Sequence, residues 1–253
     1  MKVSKLVELY QRTSKHSNYQ VLPERVIRLL PGDLISVQSR SEKERLDYIC
    51  SKLDFSGLTL ADIGGNTGFF SIEVLNKGAE KVFYYEGNKD HCEFVSCVKK
   101  LLDIDSNLEV NNIYIDFQDI KLPAVDCVFL LNVLHHVGDD YGNRNLDRCE
   151  VKESILIALK NLSLKTKFLV LQVGFNWKGN CDLPIFENGT KSEVISLINQ
   201  AEKYFEVFAI GVAVNKGFGV FYEDLNDKNI QRNDSIGEFL NRPIFILRSK
   251  RFL

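Results

Sequence analysis

No run of about 18 apolar residues occurs in the 253-residue chain, so no transmembrane helix is expected. The opening stretch, MKVSKLVELYQRTSK, lacks the apolar core of a signal peptide, and the expected location is cytoplasmic. No Cys-x-x-Cys pair exists among the six cysteines, at 50, 92, 97, 127, 149 and 181. They read as reduced thiols, and no metal site is expected. Neither sign of charge dominates: 32 Lys and Arg face 34 Asp and Glu, a net charge of −2. That balance argues against nucleic acid as the main partner. Residues 1–40 alone lean basic, with seven Lys or Arg against three acids. Such a segment can face an anionic substrate or simply be a solvated helix face. There is no internal repeat and no low-complexity stretch. Histidine is scarce: four in all, two of them adjacent at 135 and 136.

The most informative stretch present is residues 59–74, TLADIGGNTGFFSIEV. A short apolar run ends at Asp62, passes through Gly64-Gly65-Asn66-Thr67-Gly68, and resumes with helical spacing at Phe69, Phe70, Ile72 and Leu75. Strand, glycine turn, helix is how a doubly wound sheet opens its first crevice to a nucleotide. Gly64 and Gly68 let backbone approach a ligand, and Asn66 tolerates positive φ better than most residues. The next strand, residues 81–85, runs into Glu86, 22 positions after Gly64. An acid about 20 residues past the glycines accepts ribose hydroxyls in such folds. The dinucleotide pattern G-x-G-x-x-G is absent, because Asn66 and Phe69 stand where it needs glycine.

The pattern present, D-x-G-x-x-x-G at Asp62, Gly64 and Gly68, resembles the first motif of the class I S-adenosylmethionine-dependent methyltransferases. Asn66 departs from it at the middle glycine. The resemblance covers about residues 58–175. It implies S-adenosylmethionine as cofactor and S-adenosylhomocysteine as product, bound by Asp62, Gly64, Gly65, Asn66, Gly68, Phe69, Glu86 and Asn132. Asp116-Phe117, past a third strand expected at 108–115, resembles the family's adenine clamp of acid and ring. The implied fold is α/β: a doubly wound Rossmann-like sheet, mostly parallel with an antiparallel last strand, and a helical N-terminal cap.

Taken in order, residues 1–54 read as that cap and residues 55–253 as the methyltransferase domain. Helices are expected at 1–16 and 22–30, and at 41–53 behind a Ser41/Glu44 capping box. Gln38 and Arg40 precede that helix and are candidate substrate contacts. Residues 126–133 are nearly all apolar, as in a strand covered on both faces. Further elements are expected at 148–162 (helix), 168–173 (strand), a helix opened by a Thr190/Glu193 capping box, and strands at 205–214 and 242–248. Trp177 lies in a polar and aromatic loop suited to substrate contacts. Residues 215–241 exceed a hairpin turn; this insertion, with Phe218, Phe221 and Tyr222, is placed over the pocket.

Ligands in open α/β sheets sit at the carboxyl ends of strands, where His135 and His136 fall. Methyl transfer from a sulfonium mainly needs alignment and exclusion of water. A hydroxyl or amine acceptor gains from a base titrating near neutrality, and histidine is that side chain. Either His135 or His136 fits the role, with Asp139 or Asp140 as orienting partner. An acidic acceptor would need no base. An N-P-P-Y or D-P-P-Y run is absent, which favours an oxygen or nitrogen of a small molecule or saccharide. Two other functions remain open at this stage: an RNA-modifying methyltransferase or user of a modified cofactor, and a non-catalytic partner subunit.

Overall fold

A computed structural model of the chain describes residues 3–12, 20–30, 39–142 and 145–252. Its centre is one eight-stranded sheet. The strands are β1 (Thr59–Ile63), β2 (Lys81–Tyr85), β3 (Leu108–Asn111), β4 (Val125–Leu131), β5 (Thr166–Gln172), β6 (Phe205–Asn215), β7 (Val220–Asp224) and β8 (Ile244–Ser249). They lie in the order β3-β2-β1-β4-β5-β8-β6-β7. β1 to β5 are parallel, whereas β8 runs antiparallel to both β5 and β6. The order reverses between β1 and β4, and that reversal opens a crevice at their carboxyl ends.

Alternation along β4 explains its apolar run. Cys127 and Phe129 face one core, and Val128 and Leu130 face the other. The first core also takes α1 (Val3–Gln11), α2 (Glu24–Ile27), α3 (Glu42–Lys52), α4 (Phe69–Asn76) and α5 (Lys89–Leu101). The second takes α6 (Val151–Leu162) and α7 (Lys191–Asn199). Phe129 is edge-on to Phe55 and Phe70 at 5.6 and 6.0 Å, in a core that Leu6, Leu22 and Ile49 of the N-terminal elements also enter. Burying each such ring contributes about 1.5–3 kcal/mol.

Several expectations at element ends are corrected by local hydrogen bonding. Ser41 makes no cap; its backbone is left-handed (φ 58°), and its side chain accepts nothing. The Glu42 carboxylate instead accepts from Ser39 Oγ and the Arg40 amide, folding the entry to α3 around itself. The Thr190/Glu193 box does form, with each side chain bonded to the other's backbone. β3 is shorter than expected and ends at Asn111, and β4 ends at Leu131 because Asn132 turns left-handed (φ 62°).

The insertion adds an edge strand. β7 pairs antiparallel with β6, and its Tyr222 packs against Tyr48 of α3 at 6.4 Å. Phe218 is 81% exposed at the hairpin tip, away from the crevice. The part that reaches the crevice comes later: α8 (Gly237–Leu240), with Glu238 and Phe239, and then Arg242.

Candidate functional site

The carboxyl ends of β1, β2 and β4 border a cavity of about 780 Å³, a size suited to small-ligand sites. Its floor is the glycine turn. Gly64 and Gly65 amides both donate to Tyr85 O, at 2.8 and 3.2 Å, which locks the turn to the end of β2. The Asn66 amide donates to Glu86 Oε2 at 3.0 Å, and the Asn88 amide to Oε1 at 2.8 Å. Each carboxylate oxygen thus holds one backbone amide and keeps lone-pair capacity toward the cavity. Burial pushes the Glu86 pKa up, but the His91 imidazole and the two amides outweigh it, and the carboxyl lies below its usual range. Asp62 behaves oppositely: burial and nearby Glu86 raise it to about 6, against a 2.6 Å bond from Ser71 Oγ.

Glu86→Ala should weaken S-adenosylhomocysteine binding by about 1–3 kcal/mol, roughly 5- to 150-fold by calorimetry. It removes both the acceptor and the anchor of the Asn66 amide.

The opposite wall is a polar network that joins distant segments. Gln172 Oε1, at the end of β5, accepts from Asn132 Nδ2 (2.8 Å) and from Arg45 Nη1 (3.3 Å). Asn132 Oδ1 accepts from Arg242 Nη1 at 2.8 Å, and Arg242 forms a two-point pair with Glu238. Arg45 pairs with buried Glu42 at 3.3 Å. The Phe239 ring lies 5.0–5.2 Å from the guanidiniums of Arg40, Arg45 and Arg242.

After β4 the chain makes a single 3-10 turn, Leu134–His136, which points its two imidazoles differently. His135 is 2% exposed and accepts from the Gly174 amide at Nδ1, 3.1 Å away. Burial, Arg242 and His136 together hold its pKa well below the ordinary imidazole value. It is therefore neutral, with its proton on Nε2, and has no lone pair left to take another. His136 is more accessible, and its Nδ1 lies 3.9 Å from Asp139 Oδ2. Among the described residues, one group has cation-binding geometry: His136, Asp139 and Asp140, with ligand atoms within 4.8 Å of one another.

The depressed pKa of His135 has a signed consequence. The unfolded chain binds a proton there below about 6.5 while the folded chain does not. Its contribution to stability is complete above that value and declines as pH falls. Asp62 acts with the opposite sign, from its unfolded value up to about 6. Comparison with His135→Gln isolates the histidine: the stability gap to wild type should narrow by up to about 1.4 kcal/mol per pH unit below pH 6. Denaturant melts at several pH values measure it.

Of the residues singled out in the sequence, Asp62, Gly64, Gly65, Asn66, Glu86, Asn132, His135, His136 and Arg40 line the cavity. Gly68 and Phe69 do not; Gly68 starts α4 in a left-handed conformation and Phe69 packs in the core beneath. Asp116 is exposed and accepts from the Gln118 amide, while Phe117 is a core residue stacked near Tyr141. The rings that line the cavity at this end are Tyr114 and Tyr141, edge-on at 5.2 Å. Trp177 is buried and donates to Val137 O at 2.6 Å, bracing the histidine turn rather than lining the cavity. Its neighbour Lys178 does line it, with φ 57°. Gln38 lies outside the described residues. Gln20, Arg45, His91, Phe239 and Arg242 were not anticipated. Arg45 had a signal: a charge on the buried side of an amphipathic helix.

No protein-family model and no curated protein matches the chain. Solved structures do. The bifunctional kinase-methyltransferase WbdD superposes with a TM-score of 0.60 at 14% identity, over 98% of this chain and 46% of WbdD. The chain thus spans about half the length of that protein. Magnesium protoporphyrin IX methyltransferase from Synechocystis, with S-adenosylmethionine bound, gives 0.49 at 12% identity over 81% of this chain and 76% of that one. PH1948 from Pyrococcus horikoshii, described as a putative RNA methyltransferase, gives 0.46 at 14% identity over 98% of both chains. At these identities the likeness is one of fold: the chain has the Rossmann-like α/β fold of S-adenosylmethionine-dependent methyltransferases.

Proposed function

We propose that this protein is an S-adenosylmethionine-dependent methyltransferase acting on an oxygen, or a nitrogen, of a small molecule or saccharide. One observation carries the cofactor half. Glu86 stands at the end of β2 with both carboxylate oxygens aligned by backbone amides, beside a glycine turn that lines the same cavity. That arrangement suits a ribose diol, and S-adenosylmethionine would supply an activated methyl group bearing its own leaving group.

The chain's residues then have separable tasks. Gly64, Gly65 and Asn66 form the floor. Residues 1–54 act as a cap, contributing Gln20, Arg40, Glu42 and Arg45 to the cavity wall. Gln20 ties the cap down by accepting from Thr67 Oγ1 at 2.9 Å. His136 accepts the acceptor's proton, with Asp139 orienting the imidazole and stabilising its cationic form. His135 shapes the turn. Arg45 and Arg242 are charge-paired with Glu42 and Glu238, and the cations suited to an acceptor carrying negative charge are Arg40 and Lys178.

Calorimetric titration with S-adenosylmethionine, S-adenosylhomocysteine and NAD tests the reading. The first two should bind and NAD should not. Binding of NAD with no response to either sulfur compound ends it.

A further inference from the structure

His91 is the third residue of α5, and its amide donates to the Asn88 cap at 3.3 Å. Its imidazole is 6% exposed and lines the cavity beside Glu86. Neither ring nitrogen has a hydrogen-bond partner among the described residues. Buried polar groups of native proteins are nearly always satisfied, and an orphaned imidazole facing a ligand cavity points to a contact the ligand completes.

The geometry specifies that contact. Nδ1 lies 3.9 Å from Glu86 Oε2, too far for a direct hydrogen bond. Both ring nitrogens are closed to solvent, so a hydroxyl oxygen about 2.8 Å from each atom bridges them once the imidazole turns toward the cavity. It would donate to the carboxylate and accept from Nδ1–H. Glu86 Oε2 already accepts from Asn66, so one further donor completes it. A phosphate or carboxylate in that place would be repelled by Glu86, so the group fitting there is a neutral hydroxyl.

We propose that His91 is a second cofactor-reading residue, closing with Glu86 on the ribose diol of the adenosyl group. This rests on the cofactor assignment made above. His91 thereby sets selectivity for ribose over deoxyribose. A purely structural His91, packed beside Glu86 to fill space, would show no dependence on ligand hydroxyls.

Calorimetry on the full chain separates the two, using S-adenosylhomocysteine and its 2′-deoxy and 3′-deoxy analogues. In the wild type one analogue should bind about tenfold more weakly than the parent. In His91→Phe, parent affinity should drop about tenfold and that analogue's penalty should fall to within twofold. His91→Gln, which keeps a donor, should recover part of the parent affinity. A second readout needs no variant: the 15N imidazole signals of His91 in the wild type should shift with S-adenosylhomocysteine and shift less with the weak analogue. Unchanged affinity in His91→Phe, an unchanged hydroxyl penalty, or imidazole signals unmoved by S-adenosylhomocysteine overturns the proposal. If wild type fails to bind S-adenosylhomocysteine at all, the cofactor assignment itself falls and this proposal with it.

Discussion

Replacing His136 by alanine is expected to lower turnover by about 10²–10⁴-fold while S-adenosylhomocysteine affinity stays nearly unchanged. Of the adjacent imidazoles, His136 has a carboxylate behind it at 3.9 Å and faces the cavity with the greater exposure. His135 spends its Nδ1 lone pair on Gly174 and is held neutral. Wild-type turnover should rise with pH across the range where histidine titrates, and Asp139→Asn should shift that rise to lower pH. His135→Ala should instead lose stability, because it empties a buried site and orphans the Gly174 amide. Steady-state kinetics at saturating acceptor, beside thermal melts, distinguish the two. Near-normal turnover in His136→Ala would mean that alignment alone suffices and that the acceptor arrives deprotonated.

Gly64→Val should abolish detectable S-adenosylhomocysteine binding. Gly64 has φ +73°, and a Cβ there would stand 2.6 Å from Val133 Cγ2 and 3.0 Å from Tyr141 Oη. A β-branched residue therefore meets backbone strain and a clash with Val133 and Tyr141 together. The turn must shift, and the amides fixed on Tyr85 O shift with it. Gly57 provides the comparison. It shares the positive φ, at +70°, but nothing lies within 4 Å of the point where a Cβ would stand. Gly57→Ala should cost about 1–2 kcal/mol of stability and leave ligand affinity intact. Wild-type affinity in Gly64→Val would show that the ligand does not lie on this turn.

The sequence was most legible where local chemistry and topology agree. β1, the glycine turn and α4 are legible because an apolar run, glycines and helical spacing follow one another without conflict. The Thr190/Glu193 box was legible for the same reason, since both partners lie within one turn. The Ser41 box failed because Ser41 turns left-handed and its amide, the donor Glu44 would need, goes to Ser39 Oγ. On the site, the glycine turn, Glu86 and the histidines were local signals. The Arg45–Gln172–Asn132–Arg242 wall was not, because its members lie up to 197 positions apart and converge only through the sheet. Asp116-Phe117 shows the opposite failure: a dipeptide with the right chemistry whose ring turned to the core while Tyr114 took the cavity edge.

β8 follows β5 and β6 in the chain yet lies between them. During synthesis, therefore, β3-β2-β1-β4-β5 and β6-β7 leave the ribosome as two pieces with an empty lane separating them. The segment that fills this lane also brings Arg242, the partner of Asn132. A nascent chain ending before residue 242 has its glycine turn but neither a continuous sheet nor a finished cavity wall. The Arg242 wall of the cavity is thus completed last, when translation has passed β8, long after the glycine turn and Glu86 have emerged.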